Sequence, residues 1–264
     1  MNSLRAVFVY EWKRSLTAGR IAWWFAMAAF PVLITILIRT LGDFESHNDI
    51  AAQKSVWSVI FYALIPGVCV ALSVLLTAAP AVAAELEQRS WAYLATRPNG
   101  IFWLLLGKFL VSVTWAATAA WMGTILSVGA CGMDEQVRMI LSLSALSLLS
   151  ATAYSAVYLL VGTIFPKRAM VFCMLYTVLV ELVFGSIPAI INRITVQFRL
   201  RTLFVNWMPL DQRMKDEDVF QYVLAEGSSF MQCFWLIALS VLFLVAGIVV
   251  AHRKEFTSAT EGDI

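Results

Sequence analysis

Apolar residues fall in long uninterrupted runs, not in the short or one-sided patterns of a water-soluble chain. A helix needs about 20 such residues to cross the hydrocarbon core of a bilayer, with every backbone group bonded internally. Six stretches meet that demand: Ile21 to Leu41, Val56 to Pro80, Ile101 to Ala130, Met139 to Phe165, Ala169 to Ile191 and Phe230 to Ala251. The pattern predicts an all-α, polytopic membrane protein with six transmembrane helices, built as one domain over residues 1–264. Ahead of the first run, Leu4, Phe8, Trp12 and Leu16 recur at a spacing of four, with Val7 beside them. Arg5, Glu11, Lys13 and Arg14 fall largely elsewhere on the wheel, which predicts an amphipathic helix over residues 1–20 lying in the membrane interface. Gly19 and Arg20 supply its corner; the alternative is an extension of the first span.

Residues 192–229 form the one sizeable insertion between runs. Val196, Phe198 and Leu200 alternate with Gln197, Arg199 and Arg201, as in a short strand or a surface-lying stretch. Asp216, Glu217 and Asp218 then precede Val219, Phe220, Val223 and Leu224, as in a short helix with an acidic first turn. This segment either caps a pathway or simply connects two spans.

Composition agrees with the pattern: 61% of the 264 residues are apolar and 14% charged. A net charge of +2, without a basic block, gives no support to a nucleic-acid partner. Its placement is informative instead. Arg5, Lys13, Arg14, Arg20, Arg89, Arg97, Lys108, Lys167, Arg168, Arg253 and Lys254 gather in one set of connections, against Arg39, Lys54 and Arg138 in the short loops of the other and five basic residues in 192–229, of which Arg193, Arg199 and Arg201 lie close to the fifth run and themselves favour the inside. The positive-inside rule therefore puts both termini, including the tail 252–264, in the cytoplasm and 192–229 outside. The first run lacks a small-residue cleavage site and is expected to be retained.

Candidate chemistry is sparse. The four cysteines form no CxxC pair and read as membrane-buried thiols. Only His47 and His252 are present, neither beside a partner, and no HExxH or GxSxG occurs, so no enzyme is expected. No GxxxxGK[ST] phosphate loop occurs. Glu181 is the one acid well inside a run. A carboxylate there belongs either to a substrate pathway or helix pair, or to a polar neighbour in the bundle. Lys108 lies close enough to a span end to snorkel, Pro31, Pro66 and Pro188 read as packing or kink positions, and the tryptophans as an aromatic belt.

One connection differs from the rest. Glu85 to Thr96 predicts a helix of about three turns, with carboxylates at its start and Pro98 and Gly100 at its end. Trp91, Tyr93 and Leu94 among charges make a docking chemistry of apolar anchors and rim charges. Glu85 and Glu87, then Leu94, Thr96 and Pro98 at fixed offsets, ending in Leu105, Leu106, Gly107 and Lys108, resemble the segment between the second and third spans of ABC-2 type transporter permeases. Arg89 stands where that pattern has Gly, Ser90 where it has Thr, and Asn99-Gly100-Ile101 where it has Val-Ser-Arg. The resemblance in layout extends over the whole chain. It implies that this is a short cytoplasmic coupling helix through which Glu85, Glu87, Gln88, Arg89, Ser90, Trp91, Leu94 and Pro98 meet a separate cytosolic ABC ATPase subunit. The ATPase would bind ATP and Mg, this chain no cofactor of its own. A second permease subunit, alike or different, would complete an export pathway within membrane lipid of the cytoplasmic membrane. The rival expectation is a non-transporting membrane anchor or assembly subunit that uses the same helix.

Overall fold

The computed structural model describes residues 3–41, 50–91, 93, 96–97, 99–132, 135–183, 185, 195–208 and 228–254. Every regular element among them is helical. The helices are α1 (Ser3–Ser15), α2 (Ala18–Leu41), α3 (Ile50–Tyr62), α4 (Val70–Thr77), α5 (Ala81–Glu87), α6 (Gly100–Cys131), α7 (Gln136–Ile164), α8 (Ala169–Tyr176), α9 (Val196–Trp207) and α10 (Ser229–Arg253). A wide-turn segment, Ala63–Cys69, joins α3 to α4, and another, Thr177–Val183, extends α8.

Among the described residues, five runs are long and apolar enough to cross a membrane: Ala18–Leu41, Gln53–Glu87, Gly100–Cys131, Gln136–Ile164 and Ser229–Arg253. Of the expected run from Ala169 to Ile191, residues 169–183 are helical, and residues 186–191 lie outside the described set. In the second run α4 ends at Thr77, close to the expected span end at Pro80, and after a turn at 78–80 α5 carries the helical run on to Glu87. Proline stands at the head of that new helix, where a missing N–H leaves no bond unmade.

α6 and α7 are the most buried long helices; α2 and α10 flank them with most of their surface turned outward. Lipid tails are as apolar as leucine, so close packing and polar contacts, not escape from water, must hold such a bundle. Gly162 of α7 shows the closeness. A Cβ there would stand 2.4 Å from the Ala79 carbonyl oxygen, so α7 meets the 78–80 turn backbone to backbone. The carbonyl of Pro66, in the wide-turn segment, accepts from the Ser150 hydroxyl at 2.7 Å, an outside donor for a stretch whose ladder proline interrupts. Trp57, expected in an aromatic belt, is instead 2% exposed against Phe61.

α1 is a helix distinct from α2, but the corner falls at Leu16 and Thr17, ahead of Gly19 and Arg20, with the Thr17 side chain accepting from the Arg20 amide. Its packed side is not the expected apolar face alone. Glu11 and Ser15 are buried, Trp12 stacks on Trp115 at 5.4 Å, and the Trp115 indole donates to the Ser15 hydroxyl at 2.8 Å. Gly107 lets α1 approach α6, since a Cβ there would meet Val7 Cγ1 at 2.7 Å.

The alternation at 196–201 predicted a strand or surface stretch; the residues form α9, with Val196, Phe198, Leu200, Leu203 and Phe204 buried. Period two over six residues is too short to exclude a helix whose surroundings are apolar on most sides. The expected acidic-start helix at 216–224 lies outside the described residues.

Candidate functional site

α1, α5 and the start of α6 converge at one end of the bundle around four charges. Glu85, the fifth residue of α5, is 1% exposed. Its Oε1 accepts from Arg14 Nη1 at 2.6 Å and faces Lys108 Nζ at 2.8 Å. Lys108 also reaches Glu11 Oε2 at 3.2 Å, and Arg14 lies 3.8 Å from Glu11. The second Glu85 oxygen accepts from the Ser90 hydroxyl, and Arg14 also donates to the Gln88 side chain. Two carboxylates thus face two cations, balanced in sign, with the Lys108 side chain only 11% exposed. Buried pairs of this kind are strong only as a complete set, because removing one member leaves an uncompensated charge in a low dielectric.

The expected continuous helix from Glu85 to Thr96 is interrupted. α5 ends at Glu87, and Arg89 takes a left-handed conformation (φ 55°). That turn is what folds Ser90 back onto Glu85 and tucks Trp91 into the apolar core. Glu87, Gln88 and Arg89 are exposed, as is Tyr93, whose ring lies 4.4 Å from the Arg97 guanidinium. Of the expected docking residues, Glu85 and Trp91 are therefore turned inward, Glu87, Gln88 and Arg89 outward, and Ser90 sits between them. Leu94 and Pro98 lie outside the described residues.

Sequence reasoning missed the partners of Glu85. Lys108 was expected to snorkel and Glu11 to avoid the packed face of α1; the two meet each other instead. One signal was available: Glu11 and Arg14, three apart, share a helix face, and both precede an apolar run whose neighbours also carry charge at their ends.

A second polar cluster lies deep in the bundle. Glu181 is 3% exposed. Its Oε1 accepts from the Tyr176 hydroxyl at 2.8 Å and the Val196 amide at 3.1 Å, and its Oε2 from the Gln197 amide at 2.9 Å. The Thr195 hydroxyl accepts from the Phe198 amide. Three of the amides that begin α9, which have no partner within the helix, are thereby satisfied. Gln197 bridges outward, donating to the Tyr154 hydroxyl at 2.8 Å and accepting from Tyr62 at 2.9 Å. Tyr154 stands about 15 Å from the end of α7 at 1.5 Å per residue, so α9 begins near the middle of the bundle.

Among the described residues, no group of His, Cys, Asp and Glu is arranged to hold a metal ion. No family model and no curated protein matches the sequence. Fold and site define a class, a helical membrane protein with a charge cluster at one end of its bundle. The particular function is a matter for inference from the residues.

Proposed function

We propose that this chain is the membrane subunit of an ATP-driven exporter of the ABC-2 permease type. It spans the cytoplasmic membrane six times with both termini inside, pairs with a second permease subunit, and draws its energy from a separate cytosolic ATPase that binds ATP and Mg. The observation that carries the reading is the charge cluster of Glu11, Arg14, Glu85 and Lys108. It ties three helices to the connection that presents Glu87, Gln88, Arg89 and Tyr93 outward. A force applied there by a docked ATPase reaches α1 through Arg14 and α6 through Lys108, while a loop held only by its own residues would yield. In this reading α1 lies in the cytoplasmic interface and Glu87, Gln88 and Arg89 touch the ATPase. Glu85 and Ser90 stiffen the link. Glu181, with both oxygens occupied by internal donors, serves to hold α9 and not to bind cargo.

The test is co-purification of the tagged chain from membranes. A Walker-motif ATPase is expected in the eluate, and charge reversal at Glu87 and Arg89 together removes it while the chain remains in the membrane at its usual level. Recovery of the intact chain with no ATPase, under conditions that preserve membrane complexes, overturns the proposal. ATPase that binds and is stimulated, with no cargo moved in vesicles holding both proteins, favours the anchor or assembly subunit.

A further inference from the structure

α2 and α4 do not close on each other near the end that carries the charge cluster. Between them, with α6 as the floor, is a cavity of about 280 Å³ lined by Arg20, Trp23, Trp24, Ser73, Thr77 and Trp115, among others. Most of its wall is aromatic or aliphatic. Trp24 and Trp115 are pinned by hydrogen bonds to Thr118 and Ser15, and Thr77 shares a hydrogen bond with Ser112. These side chains are walls, already engaged with the protein.

Arg20 is different. It is the last charge before the uncharged run that opens at Ile21. Its guanidinium makes no hydrogen bond or ion pair to the described residues, and Glu11, which attracts it from a distance, is already paired with Lys108 and Arg14. The Ser73 hydroxyl and the Trp23 indole N–H likewise have no hydrogen-bond partner among the described residues. The cavity thus combines one cation without a direct partner and two free donors with an apolar wall, at the level where a span passes from headgroups into hydrocarbon. Tryptophan favours that level for its amphipathic ring, and arginine grips phosphate with a planar fork of donors.

We infer that this cavity is a binding site for one anionic phospholipid, its phosphate held by Arg20 and its glycerol region seated between Trp23 and Trp115. The volume fits a headgroup and glycerol, with the acyl chains left to run along α2 in the bilayer. The complementary charge argues for an acidic lipid over a zwitterionic one, whose ammonium would bring a second positive charge beside Arg20. The site rests on the helical membrane fold alone, so it stands or falls separately from the ATPase partnership.

The experiment uses the full-length chain in a mild non-ionic detergent, titrated with dioleoylphosphatidylglycerol, dioleoylphosphatidylcholine or inorganic phosphate, and read by native mass spectrometry with thermal unfolding in parallel. One phosphatidylglycerol per chain is expected to survive to energies that strip phosphatidylcholine, with a higher melting temperature in the first lipid only. Arg20→Gln weakens phosphatidylglycerol binding about tenfold, as expected for loss of a charge-assisted phosphate contact, and Arg20→Lys falls between the two. Ser73→Leu, which fills the cavity and keeps the cation, lowers binding in the same way, so the result does not depend on Arg20→Gln folding. Equal retention of both lipids, or retention unaffected by the Ser73 and Arg20 variants, overturns the inference. Displacement of the lipid by inorganic phosphate at millimolar concentration also overturns it, since the site would then take a free anion.

Discussion

Glu85 accepts from three donors on three different parts of the chain: Arg14 of α1, Ser90 of the following connection and Lys108 of α6. The balance of that set fixes what single substitutions do. Lys108→Met leaves Glu11 and Glu85 facing each other with one cation between them and is expected to destabilise the chain by about 3 kcal/mol, the scale of a broken buried pair. Adding Glu85→Gln removes one of the stranded charges, so the double variant recovers part of that loss. Chemical unfolding in detergent measures the cycle; additive losses show that the residues do not act as a set. Little of this was legible in the sequence. Glu85 and Lys108 stood out through a resemblance, but their pairing depends on α1 folding back along α6, a long-range contact to which local periodicity is blind. The positive φ at Arg89, which turns Trp91 inward, is equally hidden because arginine carries no left-handed preference.

At the scale of elements, long apolar runs were readable because bilayer thickness fixes a length that composition alone can meet. Among shorter helices, α1 was legible from its apolar spacing but α9 was not. Val196 to Arg201 alternates like a strand, yet α9 forms because Glu181 and Thr195 supply acceptors for its first amides in a setting without water. Glu181 itself was legible as exceptional, being the lone acid in a run, but its three donors come from residues 5, 15 and 16 positions away. Separate amides meet separate acceptors, which hydrogen exchange in detergent resolves. Glu181→Ala speeds exchange at Val196 and Gln197 and destabilises by about 2 kcal/mol, the range for stranding buried donors. Thr195→Ala speeds exchange at Phe198 at a loss of about 1 kcal/mol, as for other N-cap truncations. Uniform acceleration along α9 in both variants would mean that the whole helix is released and that the individual caps do not matter.

Across the whole molecule, the ends of the bundle differ in chemistry. One end gathers the four-charge cluster, the exposed Glu87, Gln88, Arg89 and Tyr93, and Lys254, which donates to the Ile164 carbonyl at the close of α7. The other has Arg39 on the Ala130 carbonyl and Lys54 paired with Glu135. In the proposed topology the first end faces the cytoplasm. A membrane-impermeant maleimide should therefore label Tyr93→Cys in inside-out vesicles and leave it untouched in right-side-out ones, and the reverse pattern would invert the topology. The five spans among the described residues were legible from composition, while part of the sixth expected run, including 186–191, lies outside the described residues.

On the proposed function, α1 and the residues Glu87, Gln88, Arg89 and Tyr93 move as one body, bound by Arg14, Glu85 and Lys108, when a docked ATPase closes on ATP. Tyr10 and Tyr93 are 63% and 61% exposed and accept spin labels without disturbing the cluster. Electron–electron resonance between labels at these positions, with labelled chain diluted into unlabelled chain and reconstituted with its ATPase, measures their separation directly. The account predicts the same distance with and without ATP in the otherwise native chain, and a distance that changes on ATP binding once Lys108→Met has broken the cluster. A separation that already changes with ATP in the intact chain would contradict it.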